Sequence, residues 1–140
     1  MKATEEVIKL AEKNKFGIVG TNGTKTSAGA LSYYTSKIAD AGFIGIAMAG
    51  SPAFVAMHGT KDALLGTNPL SLSIPFKKGH IILDMATAAT TMYEVIYAAM
   101  TKKKLPEDAA IDKDGKKTTD PNDVINGGAL LPFGDSFKAS

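Results

Sequence analysis

The spacing of apolar residues along the first fifty positions predicts helices and strands in alternation. Residues 4–14 have an amphipathic helical period, with Thr4 as the expected N-cap. Residues 16–19 are a short apolar run typical of a buried strand, and residues 27–41 return to the helical period. The continuous apolar run FIGIAMAG, residues 43–50, is typical of a strand that is buried on both faces. This order of helix, strand, helix and strand indicates a layered α/β fold.

The remaining pattern contains one clear hairpin between less regular segments. Residues 51–69 are punctuated by glycine and proline, and we predict them to be loop. LSLSIPF, residues 70–76, alternates like a strand whose polar face is the wetter one, and HIILDMA, residues 80–86, is the strand expected to pair with it. Residues 88–101 are helical in length and composition. DKDG then predicts a tight turn, and the apolar tail GGALLPFGDSFKAS is predicted to be irregular.

Composition narrows the classes of protein to which the chain can belong. Its 140 residues, 44% hydrophobic and 21% charged, are ordinary for one globular domain. Cysteine is absent and only two histidines occur, so we expect neither a disulfide nor a metal site. The net charge is +2, arginine is absent and the lysines are dispersed, which argues against a nucleic-acid surface. The charged N-terminus and the lack of a long apolar run predict a cytoplasmic protein without a membrane span.

GIVGTNGTKTS, residues 17–27, raises the alternative of a phosphate-binding loop and hence of an ATPase. Such a loop cradles phosphate with the backbone N–H groups of its glycines and needs a lysine directly after the last glycine. Here Thr24 separates Gly23 from Lys25. The inserted residue rotates the lysine by about a third of a turn at a helix start. We therefore favour a strand-to-helix turn whose glycines serve backbone geometry, and magnesium-dependent ATP binding remains the alternative.

Five sequence blocks occur in an order that resembles one enzyme family. The blocks are SAGALSYYTSKIADAGFIGIAMAGSP, LLGTNPLSLSIP, ILDMAT, DKDGKKTTDP and GALLPFGDSFK. Together they resemble the malate/L-lactate dehydrogenase family, which includes ureidoglycolate dehydrogenase and diketogulonate reductase. The resemblance implies an α/β fold in which a mixed β-sheet is packed with helices, sulfolactate dehydrogenase-like and non-Rossmann; the absence of G-x-G-x-x-G agrees with this. It further implies that residues 1–140 are an NAD(P)-binding core domain, truncated at both ends relative to the family.

The resemblance also implies an activity and an assembly. The activity is that of an NAD(P)-dependent oxidoreductase that interconverts 2-hydroxy acids and 2-oxo acids, with NAD or NADP as cofactor. The assembly is a homo-oligomer, specifically a dimer. We expect the isolated chain to be inactive or nearly so, because it lacks the family histidine and any arginine to clamp a substrate carboxylate. The alternative is a catalytically incompetent nucleotide-binding or dimerisation module derived from the same family.

Ser27 is the candidate catalytic residue, because it stands where the resemblance places a proton-accepting histidine. Serine does not act as an acid or base near neutral pH without a partner base. Serine is also strongly favoured at helix N-caps. The interpretation that we prefer for Ser27 is therefore the N-cap of a helix over residues 28–41.

The remaining candidates are cofactor positions that the resemblance implies. Asp84 ends an apolar strand, where ligand sites of α/β sheets gather, and the helix after it would offer N–H groups to phosphate. From the residues alone, the alternative that Asp84 caps that helix is equally open. Ala139 stands where the family has a glycine, and Tyr93 and Glu94 replace a family glycine and lysine. The implied cofactor-binding residues are Ser51, Asp84, Met85, Ala86, Lys138 and Ala139.

Overall fold

The computed structural model describes residues 1–24 and 26–134. In chain order the helices and strands are α1 (Lys2–Asn14), α2 (Ser32–Asp40), β1 (Gly45–Met48), β2 (Val55–Ala56), β3 (Ala63–Leu65), β4 (Leu70–Phe76), β5 (Gly79–Met85), α3 (Met92–Thr101), β6 (Ala110–Ile111), β7 (Lys117–Thr118), α4 (Pro121–Ile125) and β8 (Ala129–Leu130). Within these described ranges no helix combines the length and the apolar character that a membrane crossing requires.

The chain divides into two compact units, each with its own β-sheet. Unit 1 consists of Met1–Ala49 and Leu70–Met85, and unit 2 consists of Gly50–Pro69 and the described residues from Ala86 onward. The sheet of unit 1 has three strands in the order β1-β4-β5, and that of unit 2 has five in the order β3-β2-β8-β6-β7. Helices accompany both sheets, so the predicted mixed α/β character is confirmed.

The first helix is confirmed, but its predicted cap is wrong. α1 begins at Lys2 after Met1 as N-cap, and Thr4 lies buried inside the helix. The helix ends as predicted, because Lys15 adopts the left-handed conformation (φ 65°) and donates its N–H to the carbonyl oxygen of Ala11 at 2.7 Å. The buried strand predicted at residues 16–19 is also wrong. This segment pairs with no strand in the described structure, and its apolar side chains are largely exposed.

The predicted hairpin is the best-defined part of unit 1. β4 and β5 pair antiparallel from Leu70 opposite Met85 to Phe76 opposite Gly79. β1 pairs antiparallel with the other edge of β4. The strand predicted at residues 43–50 is therefore present, but it is shorter than predicted and it is not buried on both faces. Because β1 is an edge strand with only one covered face, Met48 is 77% exposed.

The polar face of the hairpin is turned inward, against α2. Ser71 and Ser73 are fully buried, and their hydroxyl oxygens lie 2.8 and 2.7 Å from Oγ1 of Thr35 on α2. α2 approaches closely because Gly45 of β1 has no side chain; a Cβ there would come within 2.7 Å of the carbonyl oxygen of Thr35. The alternation predicted for β4 is confirmed, but the prediction that its polar face is the wetter one is wrong, since Ser71 and Ser73 are the buried residues of the strand. The three hydroxyl groups satisfy one another in the core of this unit.

The sheet of unit 2 is built from short strands that the pattern did not predict. β2 and β3 lie in the segment predicted to be loop, and β8 lies in the tail predicted to be irregular. Both predictions are wrong, because strands of two or three residues show no detectable alternation. β8 pairs parallel with β2 and antiparallel with β6, so it lies near the centre of the sheet. The main hydrophobic cluster consists of Val55, Ala88, Val95, Ala98, Leu105, Ala110, Val124 and Leu130.

The helix predicted at residues 88–101 begins later than expected. α3 starts at Met92, after Thr91, whose hydroxyl accepts a hydrogen bond from the N–H of Glu94 at 3.1 Å. The residues before it are irregular and include a bridge between Ala88 and Pro132. The helix therefore has its own side-chain cap and does not continue directly from the strand before it.

The tight turn at DKDG is confirmed and predicts a pH-dependent contribution to stability. The carboxylate of Asp112 accepts hydrogen bonds from the N–H groups of Lys116 and Asp114, each at 2.9 Å. The bond from Lys116 is the main reason that the pKa of Asp112 lies below its ordinary value of 3.8. A lowered pKa means that the ionised carboxylate stabilises the fold above the unfolded-state pKa, and that this stabilisation is lost as the pH falls through the folded-state value.

We therefore expect Asp112→Asn to be less stable than the parent near neutral pH, and the difference to shrink as the pH falls below the ordinary pKa of 3.8 and through the lowered one. Urea unfolding at several pH values measures both free energies. Asp114→Asn is the matched control, because Asp114 contributes its backbone N–H to this turn and not its carboxylate. A stability difference for Asp112→Asn that does not change with pH would contradict the assignment.

Candidate functional site

Ser27 lies in an exposed loop and does not cap α2. Its hydroxyl oxygen accepts a hydrogen bond from the N–H of Gly29 at 3.2 Å, which closes a local turn. α2 begins only at Ser32, with Leu31 as N-cap, so the predicted capping role of Ser27 is wrong. No side-chain base is hydrogen-bonded to Ser27 in the described part of the chain. Its catalytic position stays a prediction.

The phosphate-loop alternative lacks the geometry that it needs. Within residues 17–27 the described positions form neither strand nor helix, and Lys25 itself lies outside the described residues. A phosphate loop joins a strand directly to a helix N-terminus, whereas α2 begins only at Ser32. The strand-to-helix turn that we preferred is wrong for the same reason, since no strand precedes the turn.

Asp84 caps a helix, and the helix is α2. Its Oδ2 atom accepts a hydrogen bond from the backbone N–H of Ser32 at 2.7 Å. Asp84 is opposite Ser71 in the hairpin register, and so it lies on the sheet face that α2 covers. The carboxylate is favoured there because the N-terminal end of a helix carries partial positive charge. The next helix in sequence, α3, starts only at Met92, so it does not follow Asp84 directly.

An open pocket of about 380 Å³ lies along the exposed side of α2. It is lined by Ser32, Tyr33, Ser36, Lys37, Asp40 and Ile82. The ammonium of Lys37 lies 5.0 Å from the ring centroid of Tyr33, and Oδ1 of Asp40 lies 2.9 Å from Nε2 of His80. The pocket thus combines an aromatic ring, a cation and hydroxyl groups. One of its lining residues, Ser32, donates its backbone N–H to Asp84.

Within unit 2, Ser51 belongs to a hydrogen-bonded cluster at the GTNP turn. Its Oγ accepts the N–H of Thr67 at 2.8 Å, and the N–H of Thr87 donates to the carbonyl oxygen of Thr67 at the same distance. A Cβ at Gly66 would lie within 2.6 Å of Ser51 backbone and side-chain oxygens, so only glycine fits. Asn68 adopts a positive φ of 33°, which asparagine tolerates better than most residues. Three chain segments are therefore joined at Thr67.

The predicted cofactor residues are distributed over both units of the described structure. Asp84 and Met85 end β5 in unit 1, whereas Ser51 and Ala86 belong to unit 2. The other two, Lys138 and Ala139, lie outside the described residues. The role in cofactor binding of all six residues, Ser51, Asp84, Met85, Ala86, Lys138 and Ala139, stays a prediction.

Two further residues are central to this geometry, and sequence reasoning missed them. Ser32 supplies the N–H that Asp84 binds, and Thr67 joins the cluster around Ser51. Ser32 contributes its backbone N–H, and Thr67 contributes backbone groups together with a hydroxyl that lies 3.2 Å from Oγ of Ser51. A backbone contact leaves no mark on residue type. The only sequence signal was that each residue lies inside a block of the family resemblance, SYY for Ser32 and GTNP for Thr67.

Comparison with known proteins assigns the family. The family model described as malate/L-lactate dehydrogenase matches residues 1–140. The chain therefore belongs to the malate/L-lactate dehydrogenase family, a family of oxidoreductases, as the five sequence blocks predicted.

Individual relatives match nearly all of this chain but only part of their own length. Malate/(S)-sulfolactate dehydrogenase of Methanothermus fervidus is 38% identical over 133 residues, which are 95% of this chain and 39% of the relative. Ureidoglycolate dehydrogenase (NAD(+)) of Escherichia coli is 39% identical over 129 residues, which are 91% of this chain and 36% of the relative. The chain thus spans less than two fifths of the length of these curated relatives.

Solved structures also match nearly all of this chain over only part of their own length. Malate dehydrogenase from Entamoeba histolytica is similar with a TM-score of 0.82 at 25% identity, over 96% of this chain and 39% of that chain. Sulfolactate dehydrogenase from Methanocaldococcus jannaschii is similar with a TM-score of 0.68 at 37% identity, over 95% of this chain and 38% of that chain. The mixed α/β architecture is therefore shared with dehydrogenases of this family.

Proposed function

We propose that this chain is the NAD(P)-binding core domain of an oxidoreductase that interconverts 2-hydroxy acids and 2-oxo acids. The fold that we propose is sulfolactate dehydrogenase-like and non-Rossmann, and the assembled form is a homodimer. Malate, sulfolactate and ureidoglycolate, the compounds in the names of the relatives, are all 2-hydroxy acids. A cytoplasmic location stays a prediction from composition.

The observation that carries the cofactor assignment is the position of Asp84 beside the pocket along α2. A carboxylate held at a strand end accepts hydrogen bonds from ribose hydroxyls, and it is fixed here by the N–H of Ser32. An NAD(P) ribose has two such hydroxyls, or one where a 2′-phosphate is present. The absence of arginine from the chain therefore favours NAD over NADP, because arginine is the usual partner of a 2′-phosphate.

The pyrophosphate of the cofactor cannot rely on the N-terminal N–H groups of α2. The N–H of Ser32 is bound to Asp84, and those of Tyr33 and Tyr34 donate to carbonyl oxygens of the preceding turn. A second anion at this end would also face the carboxylate of Asp84. We therefore assign the phosphate charge to Lys37, a point charge in the same pocket, and the ring of Tyr33 to stacking with a planar base.

The cofactor, when bound, supplies hydride exchange with C2 of the acid, and the protein must then exchange the hydroxyl proton. Ser27 has no hydrogen-bonded base among the described residues, so this chain alone is assigned binding without turnover. The same observation favours the second candidate function, a nucleotide-binding or dimerisation module without catalysis. A test for turnover with 2-oxo acids and NADH separates the two candidates once the family's other segments are supplied.

We expect NADH to bind saturably and Asp84→Asn to weaken binding by about tenfold or more, because a hydrogen bond to a charged acceptor contributes about 1.5–3 kcal/mol. Asparagine keeps the size of the side chain and an oxygen for the N–H of Ser32, so α2 retains a cap. The fluorescence of NADH reports binding directly, since the chain has no tryptophan. Circular dichroism checks that the variant is folded.

The matched control is Asp62→Asn, which removes one exposed carboxylate in unit 2 and should leave NADH affinity unchanged. ATP with magnesium tests the phosphate-loop alternative and should not bind. Failure of NADH and NADPH to bind would refute the proposal. Equal affinities of the parent and Asp84→Asn would remove Asp84 from the site while leaving the family assignment in place.

A further inference from the structure

α3 carries a second apolar face that the described residues of unit 2 leave exposed. Its inner side packs Val95 and Ala98 into the hydrophobic cluster. Its opposite side presents four exposed apolar side chains at helical spacings of three and four: Tyr93, Ile96, Tyr97 and Met100. The residues at the two ends of this stripe are 76% and 79% exposed. A helix with apolar residues on opposite sides is ordinarily buried on both sides. We therefore expect the exposed face of α3 to bind a partner.

Two residues at the start of α3 depart from the family pattern. The resemblance places a glycine and a lysine where this chain has Tyr93 and Glu94. The first change adds an aromatic ring to the stripe, and the second puts an acidic side chain beside it. The surface therefore differs from the family pattern in both shape and charge.

Charges at the two ends of α3 are of opposite sign. Glu94 lies in the first turn and is exposed, whereas Lys102, Lys103 and Lys104 follow the last turn and are also exposed. The ammonium of Lys103 lies 5.7 Å from the ring centroid of Tyr97, so one cation borders the apolar stripe. An occupant that matches this surface must be apolar in the middle, basic near Glu94 and acidic near the lysines.

A second copy of α3 in antiparallel orientation has this pattern. With a two-fold axis between Ile96 and Tyr97, Ile96 of one copy meets Tyr97 of the other, and Tyr93 meets Met100. Glu94 of each copy then lies near the lysines of the other. Parallel packing would instead bring like charges together at both ends.

We propose that two copies of this chain associate through the α3 face, defined by Tyr93, Ile96, Tyr97 and Met100, in antiparallel orientation. The inference rests on the homodimer of the proposed function and names its surface. A standard interface has about 20–30 residues a side, so four apolar side chains with flanking charges predict a weak, reversible dimer. Its Kd should be in the micromolar range, on the order of 1–100 µM.

The competing surface is the open face of the unit 1 sheet, formed by Ile46, Met48, Ile81 and Leu83. These side chains are exposed as well. They include no charged group that would orient a partner, whereas α3 has a charge of each sign. The test therefore includes a substitution on each surface.

Sedimentation equilibrium of the full chain over about 1–300 µM measures the dimer directly. We expect Met100→Glu to raise Kd by about tenfold or more, because it replaces an apolar contact and adds a second acid near Glu94 of the other copy. Met48→Glu is the matched control, since Met48 is similarly exposed at 77% on the competing surface, and it should leave Kd unchanged. Both side chains are exposed in the single chain, so neither change removes a core contact.

Charge reversal tests the antiparallel orientation. Glu94→Lys and Lys103→Glu should each raise Kd by about three- to tenfold, because the symmetry doubles a surface pair worth about 0.2–1 kcal/mol. The double variant restores opposite charges across the interface and should recover the parent Kd. A double variant as weak as the single variants would overturn the antiparallel arrangement.

A chain that stays monomeric throughout this concentration range would overturn the proposal. The proposal would also be overturned if further segments of a longer polypeptide covered α3. A dimer that Met48→Glu dissociates and Met100→Glu does not would also overturn it. NADH titration of the same variants keeps this inference apart from the cofactor proposal. A chain that binds NADH but stays monomeric, or whose dimer is unaffected by Met100→Glu, refutes the α3 interface and leaves the cofactor proposal in place.

Discussion

Replacing Leu130 by alanine is expected to lower the free energy of unfolding by about 3–5 kcal/mol. Leu130 is fully buried on β8, in the interior of the five-stranded sheet. It packs in the same cluster as Val55 of β2 and Val95 of α3. Strands hydrogen-bonded on both sides of β8 hold the surrounding backbone in place, so the cavity left by the lost carbons cannot collapse. Urea unfolding followed by far-ultraviolet circular dichroism measures the change.

Leu64→Ala is the matched control for Leu130→Ala. Leu64 lies on β3, an edge strand of the same sheet, and is 60% exposed. The same atoms are removed there from a site that is already in contact with water, so we expect a change within about 0.5 kcal/mol. Equal losses for the two variants would show that Leu130 does not contribute more than a surface leucine. They would also contradict the sheet order in which β8 is interior.

Leu130 also shows why much of unit 2 could not be predicted. β2, β6 and β8 have two residues each, too few for a period to be visible. What makes β8 a strand is its pairing with Val55 of β2, which lies seventy-five positions earlier in the chain. The tail is apolar because it is an interior strand, but composition alone cannot distinguish an interior strand from an irregular apolar segment.

Short-range sequence signals, by contrast, were sufficient to predict elements whose hydrogen-bonding partners are close in the sequence. The hairpin of β4 and β5 was predicted because its strands are seven residues long and joined by a short turn. The turn at DKDG was predicted because aspartate and glycine favour it through short-range hydrogen bonds. The strand 16–19 failed because an apolar run is only a strand when another strand pairs with it.

The candidate site likewise has features that the sequence predicts and contacts that it does not predict. The position of Asp84 at the end of a strand followed from the sequence, and so did the family. Its partner could not be predicted, because the hydrogen bond from Ser32 joins residues fifty-two positions apart. Sequence reasoning considered Asp84 as a cap for the next helix along the chain, whereas the hairpin carries it to the start of the preceding one.

Thr35→Val is expected to lower the free energy of unfolding by about 2–4 kcal/mol, although valine has nearly the same shape as threonine. The Oγ1 atom of Thr35 lies within 2.8 Å of the hydroxyl oxygens of both Ser71 and Ser73, and all three side chains are fully buried. A hydroxyl can donate one hydrogen and accept two, so Thr35 serves both serines at once. Valine would leave two buried hydroxyls without their partner.

The polar face of β4 is therefore stabilising only as long as the group of three hydroxyls is complete. The triple variant Thr35→Val, Ser71→Ala, Ser73→Ala removes every member of the group, so no buried hydroxyl lacks a partner. We expect it to be more stable than Thr35→Val alone, because replacing all partners by apolar groups is nearly neutral apart from the volume lost. Thr35→Ser keeps the hydroxyl, and urea unfolding should show it to cost less than Thr35→Val. If the three single substitutions added up to the triple variant, the hydroxyls would be acting independently, and the inward polar face would need another explanation.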